Sequence, residues 1–216
     1  MTVLEEWVTT ADLAPAPAGG TRLLLVRHGA TTWNAEGRHQ GRTDVPLSDE
    51  GRAQAAALGA ALRGVAIDAA YTSPLGRARA TADAVLAGRG VRAVAISEFA
   101  ELSYGERQGE RRADWLAADP AFVARWDAEP WTVTFEGGES LDDVHRRAAP
   151  AWDRVVRAHR GDQVLVSAHG HLNRVLLVHA LGLPRAAFWS LPQPNAACVV
   201  VDVTPDGATA ALLATG

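Results

Sequence analysis

Two histidines of this 216-residue chain stand in the same local setting. In "RLLLVRHG" an apolar run leads into Arg27, His28 and Gly29, and in "VLVSAHG" another leads into His169 and Gly170. Each glycine gives the backbone conformational freedom, positive φ included, and room to approach a ligand closely. Arg77 follows a third strand-like run in "YTSPLGRAR", and Glu98 and Glu101 follow a fourth, "VAIS". Singly, these are a turn histidine, a solvated arginine and a surface glutamate. Together they put two guanidinium groups, two imidazoles and a carboxylate at the ends of four strands. Guanidinium forks match phosphate oxygens two at a time. Loops and helix N-termini add N–H donors. A phosphate monoester is the ligand that suits this set.

Composition removes competing chemistries. All 21 basic residues are arginine, so a lysine-bearing phosphate loop and Schiff-base catalysis are excluded. The net charge of −4 gives no broad basic surface, and nucleic acid is not expected as a partner. Cys198 stands alone, which rules out an intramolecular disulfide and a cysteine metal cluster. His169 and His171, with His28, could nominally bind a metal. A binuclear site needs bridging carboxylates in the same motifs, and these are missing. No metal and no cofactor are expected. The N-terminal stretch carries acid where a signal peptide carries base, and no run approaches the length of a membrane span. The expectation is a cytoplasmic protein without a membrane partner.

The positioning elements follow from the apolar runs. Strand-like segments alternate with helical ones from Thr21 onward. Ser48 is a good N-cap for a helix beginning "DEGRAQAAAL", with Asp49 and Glu50 in its first turn. Pro74 opens a second helix that Gly88 closes, and "QVLVSA" runs into a helix stopped by Gly182 and Pro184. A Pro-Asp-Gly turn separates two final strand runs. The pattern predicts an α/β fold of three layers, with a mainly parallel central sheet and helices on both faces. In such sheets ligands sit beyond the carboxyl ends of the strands. Residues 1–20, ending in "APAPAGG", are expected to form an arm outside the core, and 21–216 a single catalytic domain. Residues 105–138, with Trp115, Trp126 and Trp131, are expected to form a small helical excursion over the site.

"LVRHGATTWNAEGRHQGRTDVPLSDEGRAQA" resembles the signature of the histidine phosphatase superfamily, which includes cofactor-dependent phosphoglycerate mutases and many phosphomonoesterases. The resemblance continues through "YTSPLGRARATA", "ELSYGERQG", "GGES" and "VSAHG", from Thr21 to about Val203. It implies that His28 is the nucleophile and becomes a phosphohistidine that water then hydrolyses. Arg27, Arg77, His169 and Asn34 would grip the phosphoryl oxygens, with Thr31, Gln40, Gly41 and Gly170 adding hydrogen bonds. Glu101 would protonate the leaving alkoxide, a bound phosphate dianion keeping it protonated. Glu98 and Glu106 compete for that role. The sequence departs from the family at Ala30 and Arg107, both of which bear on the pocket mouth.

The implied activity is a histidine acid phosphatase-type phosphomonoester hydrolase, acting on a small-molecule phosphate ester. Phosphoglycerate mutase-type phosphotransfer is the alternative. The modest, Trp-rich excursion favours the phosphatase. Arg111 and Arg112, with Trp115, are the candidate specificity residues, and the two arginines leave a carboxylated substrate open. A non-enzymatic phospho-ligand binder ranks below both, and a homodimer is an option for assembly. His179 is expected to be a satisfied near-core residue, and His145 and His159 solvated helix positions. Neither His39 nor His171 matches a role.

Overall fold

The computed structural model describes residues 7–13 and 15–214. One seven-stranded sheet runs through the molecule. Its strands are β1 (Trp7–Val8), β2 (Thr21–Arg27), β3 (Ala69–Thr72), β4 (Ala93–Ala95), β5 (Gln163–Ala168), β6 (Cys198–Thr204) and β7 (Gly207–Leu213). They lie in the order β1-β7-β6-β2-β5-β3-β4. All neighbours pair in parallel except β6, which is antiparallel to both β2 and β7. The expected mainly parallel sheet is present, closed at one side by the hairpin that the Pro-Asp-Gly turn makes.

Strand β2 sits at the centre because both its faces are apolar. Leu23 and Leu25 enter the core on one face, and Leu24 and Val26 the core on the other. Helices α6 (Leu141–Ala158) and α7 (Gly170–Ala180) cover the first face through Val144, Trp152, Leu172 and Val175. Helices α2 (Asp49–Ala61) and α3 (Gly76–Leu86) cover the second through Leu58, Ala82 and Val85. A short α1 (Thr32–Ala35) follows β2. Ser48 caps α2, accepting a hydrogen bond from the Gly51 N–H, worth about 1 kcal/mol in such positions.

Residues 7–13 depart from the expectation of an arm outside the core. β1 pairs with β7 as an edge strand, and Val8 and Leu13 pack against the α2/α3 core. Their apolar side chains give that edge a cover that the Pro/Ala/Gly composition of the following residues does not suggest. The excursion at 105–138 is helical, with α4 (Arg112–Ala118) and α5 (Pro120–Ala128) between two single turns. Its aromatic residues Trp115, Phe122, Trp126 and Phe135 form an inner cluster of edge-on and tilted rings continuous with the main core.

His145 and His159 are half-buried and hydrogen-bonded rather than freely solvated. His159 bonds the Tyr71 hydroxyl at 2.8 Å and Asp162 at 2.9 Å. His145 lies 3.3 Å from His179, whose other nitrogen bonds Asp153 at 3.0 Å. The helices carry these imidazoles into interfaces that helical position alone does not reveal.

Candidate active site

The register of the central strands builds the site. Arg27 lies opposite Ala168, and Thr72 opposite Ser167, so the residues just beyond β2, β5 and β3 converge. These are His28, His169 and Ser73. A cavity of about 300 Å³ opens beside His28, while His169 and Ser73 are fully buried and not part of its lining.

His28 is 3% exposed. Its main chain continues the sheet, with its N–H on Ala168 and its carbonyl accepting from Ala196. Its Nδ1 lies 2.7 Å from the Gly29 carbonyl. A carbonyl only accepts, so Nδ1 carries the proton and Nε2 keeps a lone pair. The Arg77 Nε–H donates to that lone pair at 3.3 Å. Arg77 is fixed in turn by donation to the carbonyls of Gly41 at 2.7 Å and Thr43 at 2.8 Å. Burial, then the charges of Arg77 and Arg27, push the His28 imidazole down to about 3. It is therefore neutral at any physiological pH.

Arg27 anchors one guanidinium nitrogen on the Gln193 carbonyl, while its Nε is buried without a partner among the described residues. His169, fully buried, sits 5.2 Å from His28 between ring centroids. Its Nε2 lies 2.7 Å from the Ser73 hydroxyl, and its Nδ1 is buried and unpartnered. Buried polar atoms are rarely left this way without a reason. The same holds for Gln40 Oε1.

Glu101 does the work of a helix cap from outside the helix. His169, the residue before α7, makes no side-chain cap. Glu101 instead accepts the N–H groups of His171 at 3.1 Å and Leu172 at 3.0 Å, together with its neighbour Leu102 at 2.9 Å. Burial opposes its charge, but the His171 contact, the charge of His169 and the Leu102 N–H outweigh it. The carboxyl is held well below its ordinary range. In the free site three N–H donors, two of them at the N-terminus of α7, favour the anion, whereas the expected protonated Glu101 belongs to the site with a phosphate dianion bound. Glu98 and Glu106 are elsewhere: Glu98 pairs with Arg154 on the surface, and Glu106 is exposed.

Other expected residues divide. Asn34, Gln40, Gly41 and Gly170 line the cavity with Arg27, His28, Arg77 and Glu101. Thr31 does not. Its hydroxyl closes a capping box with Asn34 at the start of α1, so it holds Asn34 in place. Arg112 reaches the rim, paired with Asp127. Arg111 is exposed and away from the cavity, as the residue preceding α4. Trp115 is fully buried and backs the wall: His39, which does line the cavity, stacks on it at 3.9 Å.

Sequence inspection passed over His39, Tyr104, His171 and Arg174, all in the cavity wall. Arg174 had a usable signal. It lies four residues past Gly170 on one helix face, and it donates to the Gly170 carbonyl at 3.2 Å. Burial lowers it to about 10, so it remains a cation.

Known proteins match the chain over most of its length. The model of the histidine phosphatase superfamily (branch 1) matches residues 23–215. The 2-carboxy-D-arabinitol-1-phosphatase of Triticum aestivum is 33% identical over 192 residues, covering 88% of this chain and 39% of the wheat protein. The chain therefore spans about two fifths of that relative's length. Phosphoserine phosphatase 1 of Hydrogenobacter thermophilus is 32% identical over 180 residues, covering 83% of this chain and 85% of the relative. The alpha-ribazole phosphatase structure from Shigella flexneri superposes with a TM-score of 0.79 at 26% identity, covering 89% of this chain and 95% of that one. Phosphoglycerate mutases are also among the relatives.

Proposed function

Because the chain belongs to the histidine phosphatase superfamily, we propose that it hydrolyses a small-molecule phosphate monoester through a phosphohistidine on His28. One observation carries this. The His28 imidazole is locked in the Nδ1–H tautomer by Gly29, is neutral, and presents the Nε2 lone pair in a cavity flanked by Arg27 and Arg77.

In this mechanism the phosphate enters beside Arg27 and Arg77 and takes over the Arg77 Nε–H that now rests on His28. Releasing that hydrogen bond frees the lone pair for attack on phosphorus. Arg27 Nε, His169 Nδ1 and the Asn34 amide then hold the phosphoryl oxygens as charge spreads over them. These donors are fixed before the reaction and need no reorganisation during it. The leaving alkoxide takes a proton at the Glu101 end of the cavity. Water then cleaves the P–N bond. The free carboxylate needs the negative charge of the phosphate before any proton can reside there.

The relatives named as phosphatases support hydrolysis over transfer. Arg112 at the rim is what favours the mutase-type reading, and its pairing with Asp127 weakens it. The narrower acid-phosphatase type is part of the proposal, as is a cytoplasmic location. Among the described residues no helix is long and apolar enough to cross a membrane. A screen of phosphomonoesters on purified protein tests the reading, ranked by kcat/KM. Trapping of an acid-labile phosphoenzyme is expected, and its persistence in His28→Ala would overturn the assignment. Conversion of 3- to 2-phosphoglycerate, with a bisphosphoglycerate primer, would give the mutase reading instead.

A further inference from the structure

The Arg77 guanidinium is aimed by a peptide unit that is itself held from its far side. The peptide joining Gly41 to Arg42 presents its carbonyl to Arg77 Nη2 at 2.7 Å. Its N–H donates to Gln108 Oε1 at 2.6 Å. The two groups of a trans peptide point to opposite sides within one plane, and no cis peptide occurs among the described residues. Whatever pins the N–H therefore directs the carbonyl. From Arg77 the line continues to His28, whose Nε2 accepts the Arg77 Nε–H at 3.3 Å. Gln108 is not in the cavity wall. It lies behind Gly41, within the excursion at 105–138. Gly41 has φ +54°, and a Cβ there would collide with Gln108 Oε1 and press on the Tyr104 ring. Only a glycine lets the carboxamide come this close. Neighbouring bonds keep the two loops in register. The Gly109 N–H donates to the His39 carbonyl at 2.8 Å, and the His39 N–H to the Glu110 carbonyl at 3.0 Å. The Arg42 side chain pairs with Glu139 at 2.8 Å.

Resting on the phosphohistidine reading, we propose that Gln108 is a positioning residue for phosphoryl transfer, holding the Arg77 guanidinium in place through the Gly41–Arg42 peptide. Gln108 itself touches neither substrate nor His28. Arg77 has to release the His28 lone pair and take up a phosphoryl oxygen without swinging away. The loop carbonyls of Thr43 and Gly41 supply the pivot at Nη1 and Nη2 and leave Nε free to change partners. Hydrogen bonds in series polarise one another. Loss of the Gln108 acceptor therefore weakens the Gly41 carbonyl as an acceptor and also frees its direction. The Thr43 carbonyl remains, so the site loosens and does not collapse. The excursion thus does more than back the pocket wall. It carries the acceptor that sets the phosphate cradle of the preceding loop.

The test compares Gln108→Met, which keeps the length of the side chain without the acceptor, with Gln108→Glu, which keeps the acceptor. In Gln108→Met, kcat/KM should fall about tenfold. The factor should be the same for glycerol phosphate and 4-nitrophenyl phosphate, because Arg77 grips the phosphoryl group and not the leaving group. Orthovanadate should bind about tenfold more weakly, and the His28 imidazole, followed by NMR, should protonate at a higher pH than in the native chain. Gln108→Glu should return the rate and the vanadate affinity to within about threefold of native. Native rates and vanadate affinity in Gln108→Met would overturn the proposal. So would losses that differ between the two esters, or a Gln108→Glu as impaired as Gln108→Met. Failure of the phosphohistidine reading is visible separately, as hydrolysis that survives in His28→Ala, since vanadate affinity does not depend on a covalent step. Should Gln108→Met not fold, amide hydrogen exchange in the wild-type chain decides. By linkage, an anion on Arg77 and the Gln108 hold on the Arg42 N–H reinforce each other. The Arg42 amide should exchange about threefold or more slower with orthovanadate bound, and an unchanged rate refutes the proposal.

Discussion

At the carboxyl edge of the sheet two His-Gly dipeptides lie side by side, His28-Gly29 beyond β2 and His169-Gly170 beyond β5. Their surroundings differ in every respect that matters for chemistry. His28 has its Nδ1 tied to a carbonyl of its own loop, which leaves Nε2 basic and open to the cavity. His169 has its Nε2 tied to the Ser73 hydroxyl, and its Nδ1 faces no partner. The glycines differ as well. Neither has a positive φ, so the backbone freedom that the sequence suggested is not what either supplies. A Cβ at Gly29 would collide with the Gly51 carbonyl, where α2 begins. A Cβ at Gly170 would meet only the ends of flexible side chains, Arg27 Nε at 3.4 Å and the Arg174 guanidinium at 3.6 Å. The same dipeptide thus makes a nucleophile braced by a helix backbone in one place, and a donor beside a helix start in the other.

The comparison breaks most decisively on the histidines themselves. His28→Ala is expected to lose turnover to the level of buffer and to form no phosphoenzyme. His169→Ala should still label at His28 while losing ~10²–10³-fold in kcat, the scale of one oxyanion donor. Equal behaviour of the two variants, in rapid-quench labelling and steady-state rates, would show that the dipeptides are not divided in this way.

Next in size come the glycines. Gly29→Ala should cost about 1–3 kcal/mol or more by overpacking against α2. Gly170→Ala should leave stability within about 0.5 kcal/mol. Urea unfolding of the two variants measures the gap, and similar midpoints would remove the argument for Gly29.

A pH experiment sharpens the electrostatic half. His28 is lowered from 6.5 to about 3, and Glu101 from 4.5 to well below it. In both cases the unfolded chain binds a proton that the folded chain refuses. Stability should therefore be full above pH 6.5 and fall as the pH drops through these windows. In Arg77→Ala the His28 window should narrow, because a cation that disfavours imidazolium is gone. Imidazole titration followed by NMR reads this directly, and an unchanged His28 titration would refute the assigned cause. A modest effect is expected of Ser73→Ala, which removes one hydrogen bond to His169 and should cost about 0.5–1.5 kcal/mol in urea unfolding.

Much of this was legible before any coordinates. The apolar runs ending in Arg27-His28 and His169 mark strand ends that deliver ionisable groups to one edge; that β2 and β5 are neighbours emerges only from the pairing of the sheet. Arg77 was readable from the strand-like run before it, and Asn34, Gln40 and Gly41 were implied by the family resemblance. Thr31, Trp115 and Arg111 were misplaced for a common reason. Each lies within a few residues of the cavity wall, and sequence distance does not say whether a side chain caps a helix, fills a core or reaches a rim.

Sequence alone determined the inventory: strands apolar enough to bury, imidazoles and guanidinium groups at their ends, and no lysine. These are local properties, carried by composition and period. Tertiary structure decided protonation and role. Whether His28 or His169 has the free lone pair depends on which oxygen, Gly29 or Ser73, lies within hydrogen-bond reach. Whether Glu101 is acid or anion depends on α7 arriving with its N–H groups pointed at it. Electrostatic energies follow distance and burial, and those exist only once the chain has brought residues 28, 77, 101 and 169 to one place.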